Sequence, residues 1–258
     1  MSEVLREVSG RIATLTINRP DRRNTMSPEV IEGLRAGLRD FDRDTNVGAI
    51  VITGAGEKAF CAGGDVSSMS NEGGMLGMHW AREGFADLLI EMNNLGKPTI
   101  AKVNGLALGG GFGLALNCDL AVAAPSAQFG TPEIKIGVFP MMIMAVMSRN
   151  LARKDVMELM LTGERVDAAR ALAMGVVNRV AAEGQLDRVT EELANQVASY
   201  SPAILKLGRR AFYQTQDMDF ESSLRRLHAE LSLCVMSEDA TEGVMAFLER
   251  REPQWQGR

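Results

Sequence analysis

One carboxylate and two glycine runs carry the chemistry this chain can offer. Glu133 stands in Gly130-Thr131-Pro132-Glu133-Ile134-Lys135-Ile136-Gly137, behind a proline and among apolar neighbours. A carboxylate so placed is a candidate general base, its pKa set by its surroundings. A surface acid or a first-turn helix charge reads equally well there. The stretch from Asn104 to Asp119 holds Gly109-Gly110-Gly111 between a strand-like and a helix-like apolar run. Glycine lets backbone come close to a ligand, and a helix beginning there points free N–H groups at whatever binds. Cys61-Ala62-Gly63-Gly64-Asp65 follows a strand and a turn. Alone it is a plain turn. Paired with the triple glycine, it suggests two backbone donors converging on one carbonyl oxygen, as an oxyanion requires. Position 113 shares a helix face with Gly110, and Gly113 brings no side chain to it.

Other chemistries lack their residues. The triple glycine misses the dinucleotide pattern G-x-G-x-x-G because Leu114 fills its last place, and no Gly-Lys-Ser/Thr marks a P-loop. Ser/His/Asp catalysis lacks G-x-S-x-G. The only histidines, His79 and His228, have no spaced carboxylate or Cys partner and read as surface or packing residues; no metal is expected. Arg19, Arg22 and Arg23 make a cationic turn, either a solvated loop or a phosphate contact suited to the guanidinium fork.

These groups need elements to hold them. The 258 residues are 46% hydrophobic, enough for one large domain or a domain with an appendage. A net charge of −5 argues against bulk nucleic-acid binding. Three cysteines make no disulfide framework, and the charged opening shows no signal peptide, so a cytoplasmic location is expected. No run of about 18 apolar residues offers a membrane span. Arg11–Asn18, Ala49–Thr53, Pro98–Val103 and Leu120–Ala124 read as strands, with Ala127–Gly130 a short extended piece. The segment from Lys58 to Asp65 reads as a loop. Ser27-Pro28-Glu29 opens a helix to about Arg43. Gly73–Leu95 is helical in its second half, and Gly110–Asn117 is a short helix. After Met141 the pattern is helical, Val176–Val180 being the one late strand. Met141, Met142, Met144 and Met147 read as core filling. Strands and helices alternate to about residue 185 and helices follow alone, so an α/β core with a helical C-terminal appendage is expected.

Landmarks in a fixed order extend this reading. They are Asn18-Arg19-Pro20, Ala59 through Asp65, Asn104 through Asp119 and Phe129 through Glu133. Leu161-Thr162-Gly163-Glu164, Ala173 through Asn178, and Glu242-Gly243 with Ala246-Phe247-Leu248 complete the series. Together, along nearly the whole chain, they resemble the crotonase superfamily, the enoyl-CoA hydratase/isomerase family. The resemblance implies a spiral of ββα repeats over 1–195 and a C-terminal helical region over 196–258 that builds homotrimers or hexamers. It implies acyl-CoA substrates and no separate cofactor, coenzyme A being part of the substrate. The N–H groups of Gly64 and Gly110 would hold the thioester oxygen, Glu133 would move the proton, Ala62 would lie by the adenine and Arg23 near the CoA phosphates. Asp65, Gly113, Met141 and Phe247 would also face the substrate.

The departures narrow the reaction. Family hydratases use two glutamates; one matches Glu133, and the other falls on Gly113. Single-glutamate relatives resemble Δ3,Δ2-enoyl-CoA isomerases, in which one carboxylate takes a proton from C2 and returns it to C4. Dienoyl-CoA isomerases and the 4-chlorobenzoyl-CoA dehalogenase place an Asp where this chain has Met141. Isomerisation of 3-enoyl-CoA to 2-enoyl-CoA is therefore expected first. The alternatives are hydration with another acid, such as Glu83 or Asp87, or with backbone-held water, and a CoA-binding scaffold with impaired catalysis.

Overall fold

The computed structural model describes residues 2–65 and 74–258; Gly73 and the side chains of residues 75, 76 and 78–81, His79 among them, lie outside the described residues. β1 (Val4–Ser9) and β2 (Ile12–Ile17) form an antiparallel hairpin with Ser9 opposite Ile12. A repeating step follows. α1 (Pro28–Arg43) leads to β3 (Ala49–Gly54) and β4 (Ala59–Cys61). α2 (Gly74–Asn94) leads to β5 (Thr99–Val103) and β6 (Leu106–Leu108), and α3 (Gly110–Leu116) leads to β7 (Leu120–Ala123) and β8 (Gln128–Gly130). Each step adds one strand to each of two sheets, which β9 (Arg165–Asp167) and β10 (Arg179–Val180) complete. The larger sheet runs β1-β2-β3-β5-β7-β10 and the smaller β4-β6-β8-β9, parallel except for the β1–β2 and β8–β9 pairs. This is the expected α/β spiral.

The expected helix start at Ser27 is correct: its Oγ accepts a hydrogen bond from Val30 N–H, and Pro28 takes the first helical position. Other boundaries differ. The expected loop from Lys58 contains β4, and the late strand is two residues, Arg179–Val180. β1, β6 and β9 go beyond the sequence pattern. β6 and β9 are three residues each, too short for alternation to show, and β1 is exposed at five of its six positions. Of the four clustered methionines only Met147 fills the core; Met141, Met142 and Met144 are exposed.

α4 (Met141–Asn150), α5 (Arg153–Thr162) and α6 (Ala168–Met174) flank the smaller sheet's end of the core, where Phe60, Phe112 and Phe129 are fully buried. α7 (Leu186–Ala198) runs across position 195 and packs Leu193 and Ala194 on Ile12, Val51, Ile100 and Val122 of the larger sheet. α8 (Pro202–Thr215), α9 (Phe220–Val235) and α10 (Glu238–Glu249) follow. Arg209 of α8 is the pin that joins them to the core. It pairs with Asp119 at 2.8 Å and donates to the carbonyls of Met92 and Leu95, each at 2.6 Å. Asp119, partly buried, also accepts from Tyr213 Oη and from Thr99 N–H and Oγ1, so both charges are well hydrogen-bonded. Asp239, at the start of α10, is fully buried and holds the last residues: it accepts from Ser201 Oγ and from the N–H groups of Gln256 and Gly257. Trp255 Nε1 donates to Ser199 O. α9 buries no residue; Leu224, Leu227, Leu231 and Val235 are exposed along it.

Candidate active site

Three parallel strands of the smaller sheet end side by side, and each delivers one candidate group just past its last residue. β4 and β6 pair Cys61 with Ala107, and β6 and β8 pair Leu108 with Gly130. Gly63-Gly64 therefore follows β4, Gly109-Gly110 follows β6, and Glu133 follows β8. The carboxyl ends of parallel strands are where such sheets bind ligands.

The first two segments meet through glycine. At Gly63 (φ +101°) an added Cβ would lie 3.0 Å from Leu108 O and 3.7 Å from Gly110 N. Met26 N–H donates to Gly63 O and Asp65 N–H to Met26 O, a parallel bridge. Such a bridge turns Gly64's own N–H away from Met26. Gly64 is exposed, with nothing within 4 Å of an added Cβ. Gly110 opens α3, so its N–H has no acceptor within the helix.

Glu133 sits in a 3-10 turn, Pro132–Ile136. Thr131, fully buried, anchors the turn by donating its Oγ1 proton to Leu159 O, and Gly109 N–H donates to Gly130 O just before it. The carboxylate lies against Gly109: a Cβ there would meet Oε1 at 2.6 Å. Gly109 has φ +53°, so glycine is needed both for the backbone and for the space. Glu133 is half-buried, and its Oε2 is buried with no hydrogen-bond partner among the described residues. Burial pushes the Glu133 carboxyl above the ordinary carboxylate range, against a smaller opposing pull from a backbone hydrogen bond. The arrangement is a proton acceptor tuned upward near two backbone donors that have no hydrogen-bond partner among the described residues. Cys61 is no competing nucleophile, since burial pushes its thiol up to about 12.

The remaining sequence candidates divide. Ala62 and Arg23 come together, because Ala62 N–H donates to Arg23 O, and Arg23 is exposed. A residue missed by the sequence reading holds that turn. Asn24, fully buried and with φ +56°, donates to Ala55 O and Ala59 O and accepts from Arg19 N–H. The signal was present, since Asn is one of the few side chains suited to the left-handed region. Arg19 leaves the cationic turn for ion pairs with Glu3 and Asp65. The Asp65 carboxylate, expected to face substrate, is buried and pairs with Arg19 at 2.8 Å, which braces the loop. Asp87 is tied to Arg35 at 3.3 Å, whereas Glu83 is exposed. Met141 opens α4 and is exposed. Phe247 is 82% exposed on α10 and lines a groove of about 520 Å³ with Tyr200, Ile204, Leu248 and Trp255 but with none of Gly64, Gly110 or Glu133. Gly113 is buried, and a Cβ there would meet Ile143 Cγ2 at 2.3 Å.

Comparison with known proteins agrees with this geometry. A family model described as enoyl-CoA hydratase/isomerase matches residues 7–258. A short-chain-enoyl-CoA hydratase of Clostridium acetobutylicum is 32% identical over 257 residues, 98% of this chain and 97% of its own. A carnitinyl-CoA dehydratase of Escherichia coli is 36% identical over 255 residues, 97% of each chain. The crystal structure of an enoyl-CoA hydratase from Mycobacterium smegmatis shares the fold at a TM-score of 0.94 and 34% identity, covering 98% of each chain. This chain thus belongs to the enoyl-CoA hydratase/isomerase family of the crotonase superfamily and is an enzyme acting on acyl-CoA.

Proposed function

We propose that this enzyme moves a double bond within an acyl-CoA, from 3-enoyl to 2-enoyl, through a thioester enolate. The carrying observation is a single tuned carboxylate beside two backbone donors, with glycine and not an acid at position 113. Glu133 takes the proton from C2, and the electron pair passes to the thioester oxygen. That oxygen accepts hydrogen bonds from Gly64 and Gly110 N–H; one such donor is worth roughly 3 kcal/mol in the transition state. The electron pair then returns through C2 and C3 as Glu133 delivers the same proton to C4. The product is the conjugated isomer, with nothing gained or lost. Ala62 and Arg23 would take the adenine and the phosphates. We place the reaction in a homotrimer or a pair of trimers, because the apolar face of α9 is uncovered in one chain.

A second reading is hydration or dehydration, favoured by the names of the Clostridium and Escherichia relatives. Here Glu133 would serve with water held by backbone or by another acid. Turnover of Glu133→Gln on 3-enoyl-CoA and on 2-enoyl-CoA decides. A loss of about 10²- to 10⁴-fold on 3-enoyl-CoA, with little hydration in the parent protein, is the expected result. Parent-like turnover of both substrates would remove Glu133 from the mechanism, and fast hydration with slow isomerisation would select the second reading.

A further inference from the structure

Position 113 is more than vacant. Gly113 is buried within α3, and the space its side chain would need holds Ile143 of α4, with Cγ2 at 2.3 Å and Cβ at 2.9 Å from an added Cβ. Ile143 is 3% exposed. It forms the inward stripe of α4 with Val146 and Met147, while Met141, Met142 and Met144 face outward. The helix therefore fixes its direction. A β-branched side chain in a helix has essentially one χ1 rotamer, so the Cγ2 methyl cannot swing aside as a Met or Leu terminus would. Gly113 lies one helical turn, about 6 Å, from Gly109, against which Glu133 rests.

We propose that Ile143 is a specificity-determining residue whose Cγ2 methyl fills the second acid's place and keeps that wall of the acyl site apolar, so that water is not held opposite Glu133. The proposal rests on the acyl-CoA reading above. It makes positions 113 and 143 a coupled pair: an acid at 113 gains nothing until 143 gives way.

The test has a packing arm and a chemical arm. Replacing Gly by Ala inside a helix ordinarily stabilises. Gly113→Ala should instead lower the thermal midpoint, by about 5 °C. In an Ile143→Ala background the same change should cost less than half as much, whereas Ile143→Val, which keeps Cγ2, should give no relief. Additive midpoints would overturn the packing assignment. In the chemical arm, Gly113→Glu alone should add no hydration of 2-enoyl-CoA. Gly113→Glu with Ile143→Ala should raise the hydration-to-isomerisation ratio about ten-fold. Hydration gained equally by the single variant, or by neither, would overturn the specificity role. Should the double variant fail to fold, the Ala cycle still decides the coupling, and Gly113→Gln with Ile143→Ala repeats the chemical arm with an uncharged side chain that can hold water. Failure of the reaction itself would be seen separately, as Glu133→Gln retaining turnover while the midpoints still couple.

Discussion

Glu133 joins two opposing needs in one side chain. A base works best when its pKa is near the operating pH, and burial moves the Glu133 carboxyl upward, in that direction, at the expense of stability. The sign follows from linkage. Its folded pKa is raised above the ordinary 4.5, so its stabilising contribution is complete below that value and is lost as pH rises through the folded value. Glu133→Gln should therefore melt with the parent protein at acid pH and increasingly above it as pH rises to neutrality. Melting curves across that range check the claim; a difference that stays constant or narrows with pH contradicts it. Catalysis should show the same group, with kcat/KM rising through an apparent pKa above the carboxylate range. Arg23, exposed beside Ala62, supports a different outcome: Arg23→Ala should raise KM several-fold at unchanged kcat if it meets only the CoA phosphates. At this scale the sequence named Glu133 and the paired glycines as candidates, while leaving Glu133 equally readable as a surface acid. It was silent about Ile143, because nothing local reveals that a residue thirty positions away occupies a missing side chain's volume. It gave no sign that Asp65 pairs with Arg19.

The elements explain why distant segments converge. β4, β6 and β8 are three residues each, yet their parallel register sets Gly64, Gly110 and Glu133 at one edge. β8 showed as a short extended piece, but β4 and β6 are too short for alternation to show, so the pairing was invisible even though the groups it joins were named. Longer elements were legible: β2, β3, β5 and β7 have enough apolar residues to declare themselves, and α1 announces its start with Ser27-Pro28. The junction of α8 with the core rests on Arg209. Its guanidinium donates to Asp119 and to three backbone carbonyls at once. Arg209→Ala would leave the partly buried Asp119 without its counter-charge and should lose about 3 kcal/mol of unfolding free energy by chemical denaturation. Lysine should rescue little, since it cannot reproduce the planar fork. Rescue to the parent midpoint by Lys would mean that charge alone holds the joint.

At the scale of the whole molecule, the alternation of strands and helices foretold the spiral, and the change to helices alone foretold the C-terminal region. After Met141 the sequence reads as helical across the expected boundary at 195; what it did not foretell is that α7 packs on the larger sheet. The uncovered side of α9 concerns assembly. Leu224 and Leu231 are 57% and 60% exposed, two turns apart on one helix face. A second copy of this chain would cover them, so Leu224→Glu with Leu231→Glu should reduce the mass in light scattering to that of one chain while far-UV dichroism is kept. A parent protein that is already monomeric would exclude the assembly.

Asp239 has a practical corollary. Because one buried carboxylate gathers Ser201, Gln256 and Gly257, residues 255–258 act as a latch on α8 and α10. Arg250 and Arg251 just before them are exposed. Asp239→Asn should turn this stretch into a preferred trypsin entry point at temperatures where the spiral is still intact.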